Sequence, residues 1–512
     1  MRRPARTVAV VLDGPLAPAW QARALADLVA SAALEVVQVT TTGRRRRGAL
    51  RRAHAAVERH LFALGADALA TEPLDRLPVG QGSKGGRPAE LVVWLSELSP
   101  AEENRDVLYL RHGGVRESAE DAFRRAALRG DPCVETELLL RRGRTTTVVD
   151  RTVSGARPFS TTLSRDRALW KLAASIVRAA ERAPGLEQAA APDRSLGAPP
   201  STAELLVRSP VGWLRVISAR LLFRRPWRIW VRESQVDPTQ GWLQTRALVH
   251  WRDGHVYADP FLLEHEGRHH LFCEEIPNGS RRGVISHTEL RLDGRAAEPP
   301  VPVLDRPYHL SYPFVFAGEG EMFLIPETSN VRRVELYRAV DFPREWARET
   351  VLLDDVVASD ATLLAHRGRL WLFVGIARPH ATLLDELHLF SAAGPRGPWL
   401  AHPGNPIVSD VRCARPAGAI QRWGGRLVRP AQDGSRRYGG AVSFREIDEL
   451  SESDYAEHEI ARLEPAELGS ARATHTYASD GRFEAVDLRR REPALGERVT
   501  QLARTLRRKL RR

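Results

Sequence analysis

The chain has 512 residues, 43% of them hydrophobic and 27% charged, more than one ordinary domain needs and apolar enough for sizeable cores. That balance excludes a disordered or collagen-like chain. Lys plus Arg is 76 against 64 acidic residues, net +12, and Lys84, Lys171 and Lys509 are the only lysines, so the excess is arginine, and its placement decides which anionic partner it faces.

In chain order, Thr7–Leu12 reads as a strand, Ala19–Val29 as a helix and Leu34–Thr40 as a strand, an alternation that predicts a parallel α/β sheet. Strands follow at Glu90–Leu95 and Asp106–Leu110, a helix at Glu117–Leu128, a hairpin Val134–Leu140 with Thr145–Val153, and a helix at Ser164–Arg182. The stretch Pro184–Pro200, rich in Ala, Pro and Gly, is expected to be a linker. Residues 206–228 mix Trp213, Leu214, Leu221, Leu222 and Phe223 with Arg208, Arg215, Arg220, Arg224 and Arg225, the pattern of a basic amphipathic helix.

Beyond the linker a pattern repeats. Segments beginning at Ala258, Ser311 and Ser359 each carry a polar or aromatic starter, an apolar strand, a turn glycine (Gly267, Gly320, Gly368) and a second apolar strand. A fourth copy runs from Arg415 to Asp433 with one extra residue, and a shortened fifth runs from His475 to Asp487. The starters Asp259, Tyr312, Asp360, Arg415 and His475 are spaced by 53, 48, 55 and 60 residues, slightly more than the roughly 40–50 residues of a four-stranded blade. The expected organisation is an α/β domain over 1–183, a linker and basic segment over 184–225, a five-bladed all-β propeller over 226–490 and a basic tail over 491–512.

Inner strands of a propeller line its axis. The residues that open or close the repeated hairpins, Asp259, Glu274, Glu275, Tyr312, Glu327, Asp360, Arg415, Arg429, Asp433 and His475, are therefore expected in one funnel. Carboxylates beside arginines suit glycosidic chemistry, in which one acid protonates the leaving oxygen and a second group acts as base or nucleophile. The same residues also suit inter-blade ion pairs, so enzyme and glycan-binding module both stay open.

The motifs Ala258-Asp-Pro-Phe-Leu262, Ser311-Tyr-Pro-Phe-Val315 with Ile325-Pro-Glu-Thr328, Ser359-Asp-Ala-Thr-Leu363, Ala414-Arg-Pro-Ala-Gly418, Arg429-Pro-Ala-Gln-Asp433 with Arg437-Tyr438, and Thr474-His-Thr-Tyr477 together resemble the N-terminal propeller domain of glucosamine inositolphosphorylceramide transferases. That domain is similar to the five-bladed furanosidase propellers of arabinanases, levansucrases and invertases. The resemblance implies Asp259 as base or nucleophile, Glu327 as acid and Asp360 as a further catalytic carboxylate. Glu274, Glu275, Tyr312, Arg415, Arg429, Asp433 and His475 would then bind substrate. Tyr312 departs from the carboxylate common at its position in those hydrolases. In the eukaryotic transferases glycosyl transfer is attributed to a separate C-terminal domain, so the propeller by itself does not imply transfer. Residues 5–155, with Val107-Leu-Tyr-Leu-Arg-His-Gly-Gly114, look like a formyltransferase domain. Tyr109–Arg111 stand where that family has Asn-x-His, with His112 one place off, and Arg141-Arg-Gly143 stands where it has Asp-x-Gly, which implies an inactive fold.

Several weaker motifs lead nowhere. His265-Glu-Gly-Arg-His269 matches HExxH, but its glycine marks a hairpin tip, not the helix that zinc binding needs. Gly80-Gln-Gly-Ser-Lys-Gly85 precedes a strand, not a phosphate-facing helix. Cys133, Cys273 and Cys413 lie too far apart for a CxxC pair. No metal or cofactor is expected. The expected partners are a carbohydrate or glycolipid and, through the two basic segments, an anionic membrane surface. Nucleic acid is not expected, since no recognition motif accompanies the charge. The location is read as cytoplasmic from the absence of a signal-like apolar run.

Overall fold

A computed structural model describes residues 5–493 apart from 15, 43–48, 63, 74–87, 97–104, 158, 182–187, 195–200, 225, 246, 250–251 and 253. The Gly80–Gly85 loop, most of the arginine run 44–52, much of the expected linker and the tail beyond residue 493 therefore lie outside the described residues. The chain divides into two compact units, Met1–Trp213 with Arg378–Thr382, and Leu214–Ala377 with Leu383–Arg512.

The first unit is an α/β domain on a seven-stranded sheet. Leu34–Thr42, Arg6–Asp13, Leu91–Trp94 and Asp106–His112 run parallel. Cys133–Arg142 and Thr145–Gly155 then add antiparallel strands. Side chains alternate along the first strand. Val8, Val10 and Leu12 join one core with Trp20, Leu25 and Leu172, while Ala9 and Val11 join another with Val92 and Trp94. A sheet covered on both faces needs such uninterrupted apolar strands. Residues 188 and 189, inside the expected linker, form the seventh strand, pairing with Val148 and Thr147.

The helix Thr161–Glu181 shows how a distant residue caps an end. The buried Glu58 carboxylate accepts the N–H groups of Thr161 and Thr162 at 3.3 and 2.9 Å and the Ser160 hydroxyl at 3.2 Å. Glu58→Ala leaves these donors bare at the positive helix end. It is expected to cost about 1–2 kcal/mol, read as a lower midpoint in urea denaturation followed by circular dichroism; an unchanged midpoint would refute the capping role.

The second unit is a propeller of five four-stranded sheets. Blades one to four open on Val256–His265, Ser311–Gly318, Val357–His366 and Gln421–Trp423. The fifth blade explains the shortened fifth copy: Tyr477–Ser479 and Phe483–Arg489 are completed by Trp227–Glu233 and Ala247–Val249, from ahead of the first copy. One sheet thus joins the two ends of the ring.

Two backbone devices recur. The hairpin tips Glu266-Gly267, Glu319-Gly320 and Arg367-Gly368 have positive φ at both residues, the geometry of tight two-residue hairpins. HExxH is accordingly split between two strands: His265 pairs in register with Arg268, and His269 contacts Asp480 at 2.7 Å. At the starters, Asp259, Tyr312 and Asp360 have φ of 50°, 46° and 52°, each where the pairing register skips. A bulge in the left-handed region re-aims one side chain at a cost of about 1–3 kcal/mol, a price typical of functional sites. Among the described residues no helix is long and apolar enough to cross a membrane.

Candidate functional site

The starters of blades one and five meet. Asp259 Oδ1 accepts the Thr476 hydroxyl at 2.8 Å and lies 3.3 Å from His475 Nε2, while Oδ2 accepts the Tyr312 N–H at 3.2 Å. Behind them Asp487 accepts the N–H groups of His475, Thr476 and Asp259 at 2.9, 3.1 and 3.1 Å, and its Oδ2 sits 2.6 Å from His475 Nδ1. All three ionisable groups are buried. Burial pushes the Asp259 carboxyl up to about 6, against the pull of the His475 imidazole. Burial opposes charge on His475 too, but Asp487 and then Asp259 outweigh it and raise its pKa. Donor atoms of Asp259, His475 and Asp487 lie within 4.8 Å of one another, yet five protein hydrogen bonds already end on the two carboxylates.

The second half of the site centres on Arg415. Its guanidinium contacts Asp360 through Nε, reaches Asp360 Oδ1 at 3.2 Å, and reaches Glu327 Oε2 at 3.2 Å. Gln432 Nε2 donates to Asp360 Oδ2 at 3.1 Å and the Ser329 hydroxyl to Glu327 Oε1 at 2.8 Å. Burial opposes charge on both partners: it pushes the Asp360 carboxyl well above the usual carboxylate range despite the pull of Arg415, while Asp360 in contact holds the guanidinium well above its own ordinary range.

Aromatic rings bridge the halves. Trp227 stacks on His475 with centroids 4.1 Å apart, Tyr438 meets the same imidazole edge-on at 4.9 Å, and Arg415 lies over the Tyr438 ring at 5.3 Å. Beside them Glu274 Oε1 sits 3.2 Å from His309 Nε2, whose Nδ1 accepts the Gly283 N–H at 2.8 Å. That acceptor role leaves the proton on Nε2, pointing at Glu274.

Seven of the ten residues expected in the funnel are thus placed in two linked clusters and their flank: Asp259, His475, Asp360, Arg415, Glu327, Glu274 and Tyr312. The Tyr312 side chain, however, is fully buried, its hydroxyl 2.7 Å from Thr362 Oγ1 and accepting the Gly418 N–H at 2.8 Å. It ties blades together. Three expected residues lie elsewhere. Glu275 points to the other face of its strand, toward His255, Tyr257 and Ser286 at 2.7, 3.2 and 2.6 Å. Arg429 is buried in the fourth blade against Glu457 at 2.6 Å and the Cys413 carbonyl at 2.7 Å. Asp433 pairs with Arg462 of the outermost strand at 2.8 Å. Sequence reasoning missed Trp227, His309, Tyr438, Thr476 and Asp487 as site residues. Tyr438 and Thr476 stand in the motifs that carry the resemblance, and Asp487 closes the fifth hairpin as Glu274 and Glu327 close earlier ones; Trp227 and His309 carried no signal.

Residues 245–489 match the family model described as glucosamine inositolphosphorylceramide transferase 1, N-terminal. The transferase 1 of Oryza sativa subsp. japonica is 36% identical over 203 residues, covering 39% of this chain and 27% of that protein. The Arabidopsis thaliana transferase is 34% identical over 209 residues, 40% of this chain and 27% of that protein. The chain thus spans about a quarter of these relatives, 27% of their length. Among solved structures, a family 117 glycoside hydrolase, Zg3597, of Zobellia galactanivorans is 10% identical, covering 51% of this chain and 90% of its own, with a TM-score of 0.36. The catalytic domain of the Coprinopsis cinerea GH62 α-L-arabinofuranosidase is 12% identical, covering 51% and 97%, with a TM-score of 0.34.

Proposed function

We propose that the propeller funnel holds the sugar of a carbohydrate or glycolipid and acts on its glycosidic bond, by hydrolysis or glycosyl transfer. Asp259 is the observation that carries this reading: a buried carboxylate without an arginine partner, set on a left-handed bulge and pushed up to about 6, suited to accepting a proton near neutral pH. Asp259 takes the proton of the attacking water or sugar hydroxyl, and Glu327 supplies a proton to the departing oxygen. Asp360 holds Arg415 in place. The name of the plant relatives, glucosamine inositolphosphorylceramide transferase 1, agrees with a sugar or glycolipid substrate.

One observation favours a second reading, a glycan-binding module without chemistry. Arg415 donates to one oxygen of Glu327 and Ser329 to the other, so both oxygens are already engaged within the protein and not turned to a leaving group. Incubating the full chain with a panel of glycans and glycolipids separates the two. In the catalytic reading Glu327→Gln keeps binding and slows turnover by about a hundredfold or more; in the binding reading the wild type turns nothing over. Absence of any bound glycan would sink both.

For the α/β domain we propose binding or assembly without formyl transfer. Of the residues standing at the Asn-x-His positions, Arg111 is spent on Glu137 at 2.7 Å and Asp193 at 3.1 Å, and His112, next in sequence, is driven down to about 4 by burial.

A further inference from the structure

A large apolar side chain left in water needs no explanation when it stands alone, but a group of them does. Of fourteen such side chains among the described residues, seven fall on two adjoining helices. In the helix Thr202–Leu222, Val207, Val211, Leu214 and Ile217 are 74%, 49%, 66% and 39% exposed. Steps of four, three and three positions keep them on one face for about three turns. Toward the protein the same helix turns Ser209, buried 3.0 Å from His54 Nε2, and Trp213, whose indole N–H donates to the Phe159 carbonyl at 3.0 Å. The apolar stripe thus faces water, the reverse of an ordinary surface helix.

The helix Ala49–Phe62 adjoins it through His54, whose ring also lies 5.6 Å from that of Trp213. Leu50, Val57 and Leu61, seven and four positions apart, are exposed on one side of this second helix. Two neighbouring helices therefore each present an apolar stripe to solvent.

Charge decides what covers them. Residues 202–225 carry Arg208, Arg215, Arg220, Arg224 and Arg225 against one acid, Glu204. Arg208 pairs with that Glu204 at 3.2 Å and donates to the Leu128 carbonyl at 3.0 Å, which leaves the segment strongly cationic. A second copy docking by the same face would set arginines against arginines. An anionic lipid surface attracts them instead, and it accepts an apolar stripe at the boundary of its acyl chains while long basic side chains reach the headgroups.

We propose that the helix Thr202–Leu222, with the stripe of Ala49–Phe62 beside it, is a docking surface for an anionic lipid bilayer. The helix lies in the interface and does not cross it, being too little apolar to span.

The test is flotation of the full chain with vesicles of phosphatidylcholine, with and without phosphatidylserine. Neither vesicle contains a sugar, so the result is independent of the funnel. Capture is expected on the phosphatidylserine vesicles and is expected to weaken as salt is raised. Val207→Ser/Leu214→Ser, both at exposed positions, is expected to lower partitioning about tenfold or more with an unchanged circular dichroism spectrum. Arg208→Gln/Arg215→Gln is expected to lower it about tenfold on phosphatidylserine vesicles. Leu292→Ser/Leu400→Ser, which removes two apolar side chains that are 70% and 62% exposed elsewhere, leaves capture unchanged. No capture, or equal losses in the two serine double variants, overturns the proposal. A dimer in sedimentation that Val207→Ser/Leu214→Ser abolishes, without vesicle capture, would overturn it too and assign the face to a second copy of this chain.

Discussion

Asp259→Asn is expected to remove glycoside turnover by about a hundredfold to ten-thousandfold while leaving ligand bound, because the amide cannot accept the proton that the buried carboxylate takes. In the wild type, kcat/KM is expected to rise through a midpoint near pH 6, where Asp259 loses its proton. Stability runs the opposite way. A carboxyl raised from 3.8 to about 6 adds stability that is fully present below pH about 4 and lost as pH climbs through about 6, since the folded state holds the proton more tightly. That displacement is worth about 3 kcal/mol. The asparagine variant has no such term, so its urea stability relative to wild type should improve by up to that amount between pH 4 and pH 8. Comparing pH values on one pair of proteins cancels fixed losses, such as the imperfect match of an amide to the Tyr312 N–H and the Thr476 hydroxyl. A variant whose relative stability does not change with pH would show that Asp259 ionises like an ordinary surface carboxylate.

Arg232→Met should destabilise the propeller by about 3–5 kcal/mol. Arg232 and Glu484 face each other across the closing sheet, in strands from opposite ends of the propeller sequence. Their contact is 2.7 Å, both side chains are buried, and the guanidinium also donates to the Pro238 carbonyl at 3.2 Å and lies 3.9 Å from the Trp242 ring centre. Removing the cation leaves Glu484 buried and unpaired, which costs more than the pair itself contributes. Arg232→Met/Glu484→Gln should therefore recover part of the loss in a double-mutant cycle. Because Trp227 begins the same strand and stacks on His475, loosening the closure should also weaken ligand binding. A loss below about 1 kcal/mol, typical of an exposed pair, would show that closure does not depend on this contact.

The sequence carried the blade pattern clearly because a hairpin writes itself locally: Gly267, Gly320 and Gly368 supply a left-handed turn position, and the flanking strands alternate. It carried Asp259, Glu327, Asp360, Arg415 and His475 for the same reason, since equivalent places in a repeat fall at equivalent places around an axis. Strand alternation alone could have separated Glu274 from Glu275, which occupy successive and therefore opposite faces. The destination of Arg429 was not legible, because its partner Glu457 lies on a strand reached only after the chain has turned twice. Nor were Trp227 and His309, which stand outside the repeated hairpins.

What the sequence by itself determined is the architecture: an apolar-stranded α/β domain, then repeated hairpins with a polar residue at each start. Periodicity and turn chemistry act over a few residues, so they can be read without coordinates. Only the tertiary structure decided which polar residues share a site. Closing the ring brings Asp259 to His475 and Arg415 to Asp360 across 216 and 55 positions of chain. Burial then shifts their ionisation, raising the pKa values of Asp259 and Asp360. Ionisation and pairing depend on neighbours in space, which the order of residues does not specify.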